Sequence, residues 1–338
     1  AYDNGMLGVI ADPFGAGVAL VLSGLFFVRL VRRLRLFSFI EILEQRFGLS
    51  AGIISSVASM VSSLGWVAGM LMAFGVIFET MTGVPLAVGF IGGAFVVIVY
   101  TSIGGMFAVA LNDFVQMSII AIGLVMLLFV VLIDTGGWAP IAAQLPEHTF
   151  RMIPLEHSLD NWLFYLRAWL IFGFADIASQ SLLQRAMSAK SERVAQNSFY
   201  AAAISYVGFA MIPVMLGIIA SVTMPGLANS ESVVPALAFE HLHPVAIAIF
   251  VGALLAAIMS SCDSAILAAA TVFGTNILPL IKRNHSERTQ LMVIRLAIPV
   301  GGFLAVWFAL NAGSVFDTVL NANMLMLAVV IAPFILGM

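Results

Sequence analysis

Charged residues are scarce in this sequence, and cysteine is almost absent. Asp, Glu, Lys and Arg make up 9% of the 338 residues, hydrophobic residues make up 62%, and the mean hydropathy is +1.10. Soluble domains carry about 25% charged residues, so this composition excludes an ordinary soluble protein. The only cysteine, Cys262, lies in an apolar run, which excludes an intrachain disulfide. The basic residues form no nucleic-acid face, and no cleavable signal peptide is evident.

Apolar runs of about 20 residues, long enough to cross a hydrocarbon core of about 30 Å, recur from end to end. They predict nine membrane spans, at 13–35, 50–78, 85–103, 105–133, 161–184, 196–223, 243–275, 290–311 and 315–336. Twelve of the fourteen Lys and Arg residues fall at the junctions after the first, fifth and seventh spans, which all lie on one side. Because cytoplasmic loops carry the basic residues, this side is the cytoplasm.

The composition and spans therefore predict a multi-pass protein of the cell membrane, either a plasma membrane or a bacterial inner membrane, in contact with the lipid bilayer. The chain starts without Met and stops inside an apolar run, so we expect a fragment of a longer protein.

The connections between spans include three segments with their own structure. Ser38 to Phe47 predicts a short amphipathic cytoplasmic helix that starts with a capping box between Ser38 and Glu41. The outer stretch 134–160 contains several Gly and Pro residues and predicts a lid of short helices. A second outer loop predicts a short helix from Ser232 to His241, while residues 1–12 are interpreted as a loop or a helix end.

Glycine and an acid lie together inside the fifth span, in the segment Phe172 to Asp176. Glycine usually serves close packing in membrane helices, and this is the interpretation for Gly65, Gly69 and Gly75. Beside an acid at membrane depth, Gly173 instead predicts a broken helix whose unwound backbone meets a ligand, as in transporters.

The polar segment 256–264, AAIMSSCDS, interrupts an otherwise apolar span. At about 100° per residue, Ala257, Ser260, Ser261 and Ser264 fall on one stripe of a helix, with Asp263 beside Ser260. An ionisable group at membrane depth marks an ion or substrate path by default. The alternative is that each serine bonds back to its own i−4 carbonyl.

Three segments together resemble the sodium/solute symporter family, which includes sodium-coupled glucose, proline, iodide and choline carriers. They are YTSIGGMFAV at 100–109 with NDFVQ at 112–116, QSLLQRAMSAKS at 180–191, and AAIMSSCDS at 256–264 running on to TVFGTN at 271–276. The resemblance covers nearly the whole chain. It implies an all-α membrane protein with the five-plus-five inverted repeat of the leucine-transporter fold, here without most of the first core helix.

That fold implies one transporter domain over residues 1–338, with a partial first repeat at 13–133, an extracellular loop at 134–160 and a second repeat at 161–338. The first core helix would supply part of the main sodium site and of the substrate cavity.

The resemblance also implies where Na⁺ binds. The Ala257 carbonyl and the Ser260 and Ser261 hydroxyls match one half of the main sodium site. Asp113, Asp263 and Ser264 match a second sodium site or an exit path, which Ser260 would also line. In the alternative interpretation, Asp113 is a helix-end acid that pairs with a cytoplasmic arginine.

The substrate residues are less specific in the resemblance. Trp66, Phe174, Ser179 and Gln180 match positions that touch substrate, although Trp66 could equally serve helix packing. Ser179 and Val319 stand where choline-type members have aromatic residues, so the solute stays open among amines, amino acids, sugars and carboxylates. Asp176 pairs either with a substrate amino group or with Arg167. Arg185 is interpreted as a gate residue that bonds backbone carbonyls or an inner acid.

The resulting prediction is sodium-driven symport of a small organic solute by alternating access, by a monomer or a loose oligomer. The alternative is a membrane sensor module that binds its solute without much flux. An intramembrane enzyme is disfavoured because all five histidines fall in loops or at span ends, and no Ser/His pair or metal spacing is present.

Overall fold

The computed structural model describes residues 1–34, 36, 38–175, 177, 179–282, 284 and 286–337. All regular elements among these residues are helical, which confirms the predicted all-α class. We number them α1 (Gly5–Leu34), α2 (Ile40–Phe47), α3 (Leu49–Thr82), α4 (Leu86–Asp134), α5 (Trp138–Ala142), α6 (Leu159–Ala175), α7 (Gln180–Ser188), α8 (Glu192–Thr223), α9 (Val233–His241), α10 (Pro244–Ile281), α11 (Glu287–Leu310) and α12 (Val315–Ile335).

Eight helical segments of the described residues are long and apolar enough to cross a membrane. They are α1, α3, α8, α10, α11, α12 and two segments of α4, Leu86–Gly104 and Val109–Asp134. These segments correspond to eight of the nine predicted spans. The span predicted at 161–184 consists of α6, with 17 residues, and α7, with 9 residues, so the break predicted beside Gly173 is confirmed.

Helix α4 contains 49 residues, which at 1.5 Å per residue would give a straight rod of about 73 Å. This is more than twice the hydrocarbon thickness of about 30 Å. The helix therefore carries two membrane spans, joined through residues 105–108.

Helix α1 is irregular where the sequence predicts a loop or a helix end. Gly5–Val9 forms a 3₁₀ turn, and Asp12 has the extended angles φ −140° and ψ 120° inside an otherwise helical run. Pro13 explains this angle, because a proline disfavours the helical conformation in the residue before it.

The predicted short elements outside the membrane are present. In α2, the Glu41 side chain accepts the Ser38 N–H at 3.0 Å and the Ser38 hydroxyl accepts the Ile40 N–H at 3.2 Å, so a capping interaction starts this helix. The lid predicted at 134–160 contains one short helix, α5, followed by turns. The second outer loop forms α9, one residue shorter than predicted.

Helix α10 lies at the centre of the bundle and packs on α3, α4, α7 and α11. Every residue from Cys262 to Ala270 is buried, because small side chains allow the neighbouring helices to approach closely. The second span of α4 runs antiparallel to α10, since Asp113 contacts Ser260 and Gly123 faces Phe250. Within the polar segment of α10, Ser260 and the residues from Cys262 to Ser264 are thus held inside the protein, while Ser261 is exposed.

The outer faces of the same helices carry large apolar side chains. Phe114 is 73% exposed although the adjacent Asp113 points inward, and Ile122, Phe303 and Ile204 are similarly exposed. Large exposed apolar faces suit contact with lipid rather than water. Together with the eight apolar spans, they agree with the predicted multi-pass membrane protein.

Helix α3 meets α12 through small residues, as the glycine interpretation predicts. A Cβ atom on Gly69 would lie 2.6 Å from the Val319 side chain, and one on Gly65 would lie 3.1 Å from Ala322. The Ser62 hydroxyl donates across the interface to the Ala322 carbonyl at 2.7 Å. This contact brings α3 and α12 together beside Trp66.

Candidate ion and substrate sites

The hydroxyl groups of α10 divide between two faces. The Ser260 side chain, with 6% of the residue exposed, donates to Oδ1 of Asp113 on α4. Ser261 is exposed, and its hydroxyl donates to the Ala257 carbonyl at 3.3 Å. The structure therefore brings Ala257 and Ser261 oxygens together on one face and turns Ser260 toward the acid on the other.

The Ser261 contact is the local i−4 bond that serines commonly make in helices. It places a hydroxyl oxygen beside a carbonyl oxygen, both of which are ligands that hard cations accept. The main sodium site at Ala257, Ser260 and Ser261 remains a prediction.

Asp113 is the centre of a charged cluster between α4, α7 and α10. Nη2 of Arg185 donates to Oδ2 of Asp113 at 2.7 Å and to the Ser264 hydroxyl at 2.8 Å. Nη1 of the same guanidinium donates to the Ser181 carbonyl at 2.7 Å, one turn back in α7. The guanidinium therefore contacts both a backbone carbonyl and an acid, while its role as a gate residue remains a prediction.

Asp263 joins this cluster through Ser264. Its Oδ1 accepts the Ser264 hydroxyl at 3.2 Å, so the arginine, the serine and the acid form a chain of hydrogen bonds. Asp263 is fully buried, and Oδ2 has no hydrogen-bond partner among the described residues. A buried carboxylate oxygen without a partner is costly, which makes this position a candidate for a cation or a proton.

Tyr100 also belongs to this region, through a contact that the sequence did not indicate. Its hydroxyl donates to the Met259 carbonyl at 2.9 Å, which ties the first span of α4 to α10 just before Ser260. Tyr100 opens the first family motif, so the signal was present, but nothing in the sequence indicated its partner.

A cavity of about 680 Å³ opens beside this cluster, on the side predicted to face the cytoplasm, and Arg32 and Arg295 line it. Its wall includes Leu267 and Thr271, which continue the face of Ser260 and Ser264 toward the cytoplasm at helical spacing. Gln184, adjacent to Arg185, lines it as well. The other lining residues are Leu36, Thr101, Ser102, Met106, Met187, Ser188, Leu291, Ile294 and Ile298.

The predicted substrate residues do not all meet at one place. Trp66 packs among Ile171 of α6 and Val319 of α12, where three helices converge. Phe174 packs with an apolar cluster nearer the cytoplasm that contains Ile177, Leu183 and Phe334. Asp176 lies outside the described residues.

The two polar substrate candidates flank the start of α7. Ser179 precedes this helix without making a side-chain cap. Gln180 is 2% exposed, and its Oε1 accepts the N–H of Phe39 at 3.3 Å, which connects α7 to the start of α2. The roles of Trp66, Phe174, Ser179 and Gln180 in substrate binding remain predictions.

Comparison with known proteins identifies the class of molecule. The sodium:solute symporter family matches residues 1–338. The chain belongs to this family. High-affinity choline transporter 1 of Drosophila melanogaster is 30% identical over 334 residues, covering 93% of this chain and 52% of the relative. The sodium/proline symporter of Staphylococcus aureus (strain USA300) is 27% identical over 286 residues, covering 81% of this chain and 53% of the relative.

A solved structure agrees with the fold of this symporter-family chain. It is the substrate-bound outward-open state of a Na⁺-coupled sialic acid symporter, with a TM-score of 0.82 at 21% identity, covering 99% of this chain and 73% of the other. This likeness confirms the leucine-transporter-like fold. The chain spans about half the length of the choline and proline carriers it matches. The division into repeats stays a prediction.

Proposed function

We propose that this chain is part of a sodium-driven symporter that moves a small organic solute by alternating access. The observation that carries the proposal is the contact of Asp113 with Ser260 and Arg185, which joins α4, α7 and α10 through charged and hydroxyl groups. Such groups at membrane depth indicate an ion path. Relatives of the chain carry the words sodium or Na⁺ in their names.

The main sodium site would use the Ala257 carbonyl and the hydroxyls of Ser260 and Ser261, and the Ser260 hydroxyl would have to turn from Asp113 to reach this ion. Oxygen ligands suit a hard cation, and uncharged ones bind weakly enough for the ion to leave again. The exposure of Ser261 supports this assignment, because it leaves room on that face for ligands from another helix. The resemblance assigns those further ligands to the first core helix.

A second sodium would use Asp113, Ser260, Asp263 and Ser264. These residues offer carboxylate and hydroxyl oxygens within one connected set of hydrogen bonds. The unpartnered Oδ2 of Asp263 supports the assignment, since a cation would remove the cost of burying it.

The cavity on the cytoplasmic side supplies the exit. An ion that leaves Ser260 passes Ser264 and Asp113 and then meets the face of Leu267 and Thr271. Arg185 lies between the oxygens of Asp113 and Ser264 and this cavity, so its side chain must move for an ion to pass.

The solute would bind where α3, α6 and α12 converge beside Trp66. A tryptophan face attracts cations, but one aromatic ring does not make a cage around a quaternary ammonium. Val319, which packs at this place, is apolar. We therefore keep amines, amino acids, sugars and carboxylates as candidate solutes.

Sodium supplies the driving force in this proposal. One positive charge that moves down a membrane potential of about 100 mV releases about 2.3 kcal/mol. Two coupled sodium ions release about twice this amount, in addition to the chemical gradient.

The test uses the full-length protein reconstituted into liposomes. A thermal-shift screen of amines, amino acids, sugars and carboxylates, in Na⁺ and in K⁺, first identifies the solute. Uptake of that solute should then require Na⁺ and should fall strongly in Ser261→Ala. Ser118→Ala is the matched control, because the Ser118 hydroxyl bonds to Phe114 of its own helix. Uptake that proceeds equally well in K⁺ would contradict the proposal, and sodium-dependent binding without uptake would favour the sensor alternative.

A further inference from the structure

We propose that the guanidinium of Arg185 occupies the place of the second cation, and that sodium and Arg185 compete for Asp113 and Ser264. This inference rests on the proposed function, because it concerns the second sodium site. It adds an internal competitor that sets how much sodium is needed to fill that site.

The geometry puts one nitrogen atom on two proposed sodium ligands. Nη2 of Arg185 lies 2.7 Å from Oδ2 of Asp113 and 2.8 Å from the hydroxyl oxygen of Ser264. Ser264 in turn bonds to Asp263 at 3.2 Å. The guanidinium is therefore in contact with one acid directly and with the other through a single hydroxyl.

Charge makes the two occupants exclusive. A sodium ion that binds these oxygens meets a fixed positive charge at hydrogen-bonding distance unless the arginine leaves. If the arginine leaves without replacement, the largely buried Asp113, with 20% of its side chain exposed, loses its counter-ion. Sodium replaces the guanidinium charge for charge, so either occupant satisfies the acids.

The arginine has a place to go. Its side chain is 38% exposed, and the adjacent Gln184 already lines the cytoplasmic cavity. The guanidinium is planar and rigid, so a swing into this cavity also gives up the Nη1 bond to the Ser181 carbonyl at 2.7 Å. Release therefore requires a swing of one side chain and no unfolding of a helix.

Two functional consequences follow from this exchange. At low sodium, Arg185 holds α7 against α4 and α10 and keeps the inner path closed. When sodium enters, the same bond breaks, so filling the site and loosening the inner path become one event. The apparent sodium affinity then contains the free energy of breaking the arginine contact.

Equilibrium binding of radioactive ²²Na⁺ to the purified full-length protein tests the inference without any transport assay. Arg185→Gln should lower the half-saturating sodium concentration of the second site, which is the weaker binding phase because Arg185 competes there, by about two- to fivefold, the equivalent of a partly exposed ion pair. Arg193→Gln is the matched control, an exposed arginine at the start of α8, and should leave both phases unchanged.

Two further variants keep the test decisive if Arg185→Gln fails to fold. Arg185→Lys keeps the charge but lacks the planar fork, so it should give an intermediate shift. Asp113→Asn combined with Arg185→Gln removes the acid and its counter-ion together, and should fold but lose the weaker phase. Sodium binding by Arg185→Gln that matches the unmodified protein would overturn the inference, and so would an increase in sodium affinity in Arg185→Lys as large as that in Arg185→Gln. If no variant and not even the unmodified protein binds sodium, the proposed function itself is wrong.

Discussion

Asp113 differs from its neighbour in the chain because it faces the protein interior and meets a charge there. Phe114 beside it faces outward, and Asp113 itself accepts hydrogen bonds from Ser260 and Arg185. A change of its carboxylate to an amide therefore alters the proposed second sodium site and leaves the lipid-facing surface intact.

Asp113→Asn should reduce the number of coupled sodium ions. Removing one negative charge weakens the second site while the carbonyl and hydroxyl ligands of the main site stay in place. We expect the Hill coefficient for sodium in solute uptake by the full-length protein to fall from about two toward one. Asp160→Asn, at the exposed start of α6, serves as the control and should behave like the unmodified protein. A Hill coefficient that stays at about two in Asp113→Asn would remove the case for the second site.

Ser62 tests the value of a single hydroxyl between two membrane helices. Its bond to the Ala322 carbonyl crosses from α3 to α12, and such bonds contribute about 0.6 kcal/mol on average and at most about 1.7 kcal/mol. Ser62→Ala should therefore lower the melting temperature in detergent slightly but measurably. Ser56→Ala, in the same helix, removes a buried hydroxyl that bonds to Gly52 of that helix, and should have a smaller effect. Equal melting temperatures for the two variants would show that the interhelical bond adds no stability.

The sequence indicated which residues form the charged cluster, but it did not indicate which of them bond to each other. The family motifs contain Asp113, Arg185, Asp263 and the serines of α10, so the sequence alone indicates these residues. It does not indicate that Ser261 bonds to its own helix while Ser260 bonds to Asp113. A serine side chain rotates between its rotamers at little cost in free energy, so its hydroxyl bonds to whichever acceptor the packed helices bring near.

At the scale of helices, the sequence predicted where the chain crosses the membrane and where one crossing breaks. It did not indicate that two neighbouring spans would join into one helix, α4, because the turn between them contains no proline. The Asp12 distortion was also not predicted in detail, although Pro13 is the signal for it.

The contact between α3 and α4 depends on one glycine. A Cβ atom on Gly75 would lie 2.8 Å from the backbone carbonyl oxygen of Leu86, and a backbone atom cannot turn aside as a side chain can. Gly75→Ala should therefore push the two helices apart and cost about 1–3 kcal/mol. Gly92→Ala, where nothing lies within 4 Å, should be neutral or slightly stabilising. Thermal unfolding of both variants in the same detergent checks this, and equal stability would contradict the close approach.

For the whole molecule, the orientation of α10 in the membrane would decide the direction in which the proposed symporter releases sodium. The distribution of Lys and Arg puts the cavity at Thr271 on the cytoplasmic side and the loop before α9 outside. The fold class and this orientation can be predicted from composition, motifs and charge. The cavity itself cannot, because it depends on the packing of five helices.

Labelling with a membrane-impermeant maleimide tests this orientation. In the full-length protein, Thr271→Cys should react only when the reagent is added from the cytoplasmic side, and Ala228→Cys, in the exposed outer loop, only from outside. The native Cys262 is fully buried and should stay unlabelled from either side, which gives a low background. Labelling from the opposite sides would reverse the orientation and the proposed direction of sodium release.

The link between α2 and α7 gives this protein a natural reporter. Phe39, at the start of the amphipathic surface helix, donates its N–H to Gln180 and packs edge-on against the ring of Phe334, with 5.7 Å between the ring centres. A movement of α7 would therefore be transmitted through these contacts to α2, a segment that lies outside the proposed ion path. A dye attached at the exposed Gln45 of that segment would report such a movement optically, at a distance from the proposed ion and solute ligands.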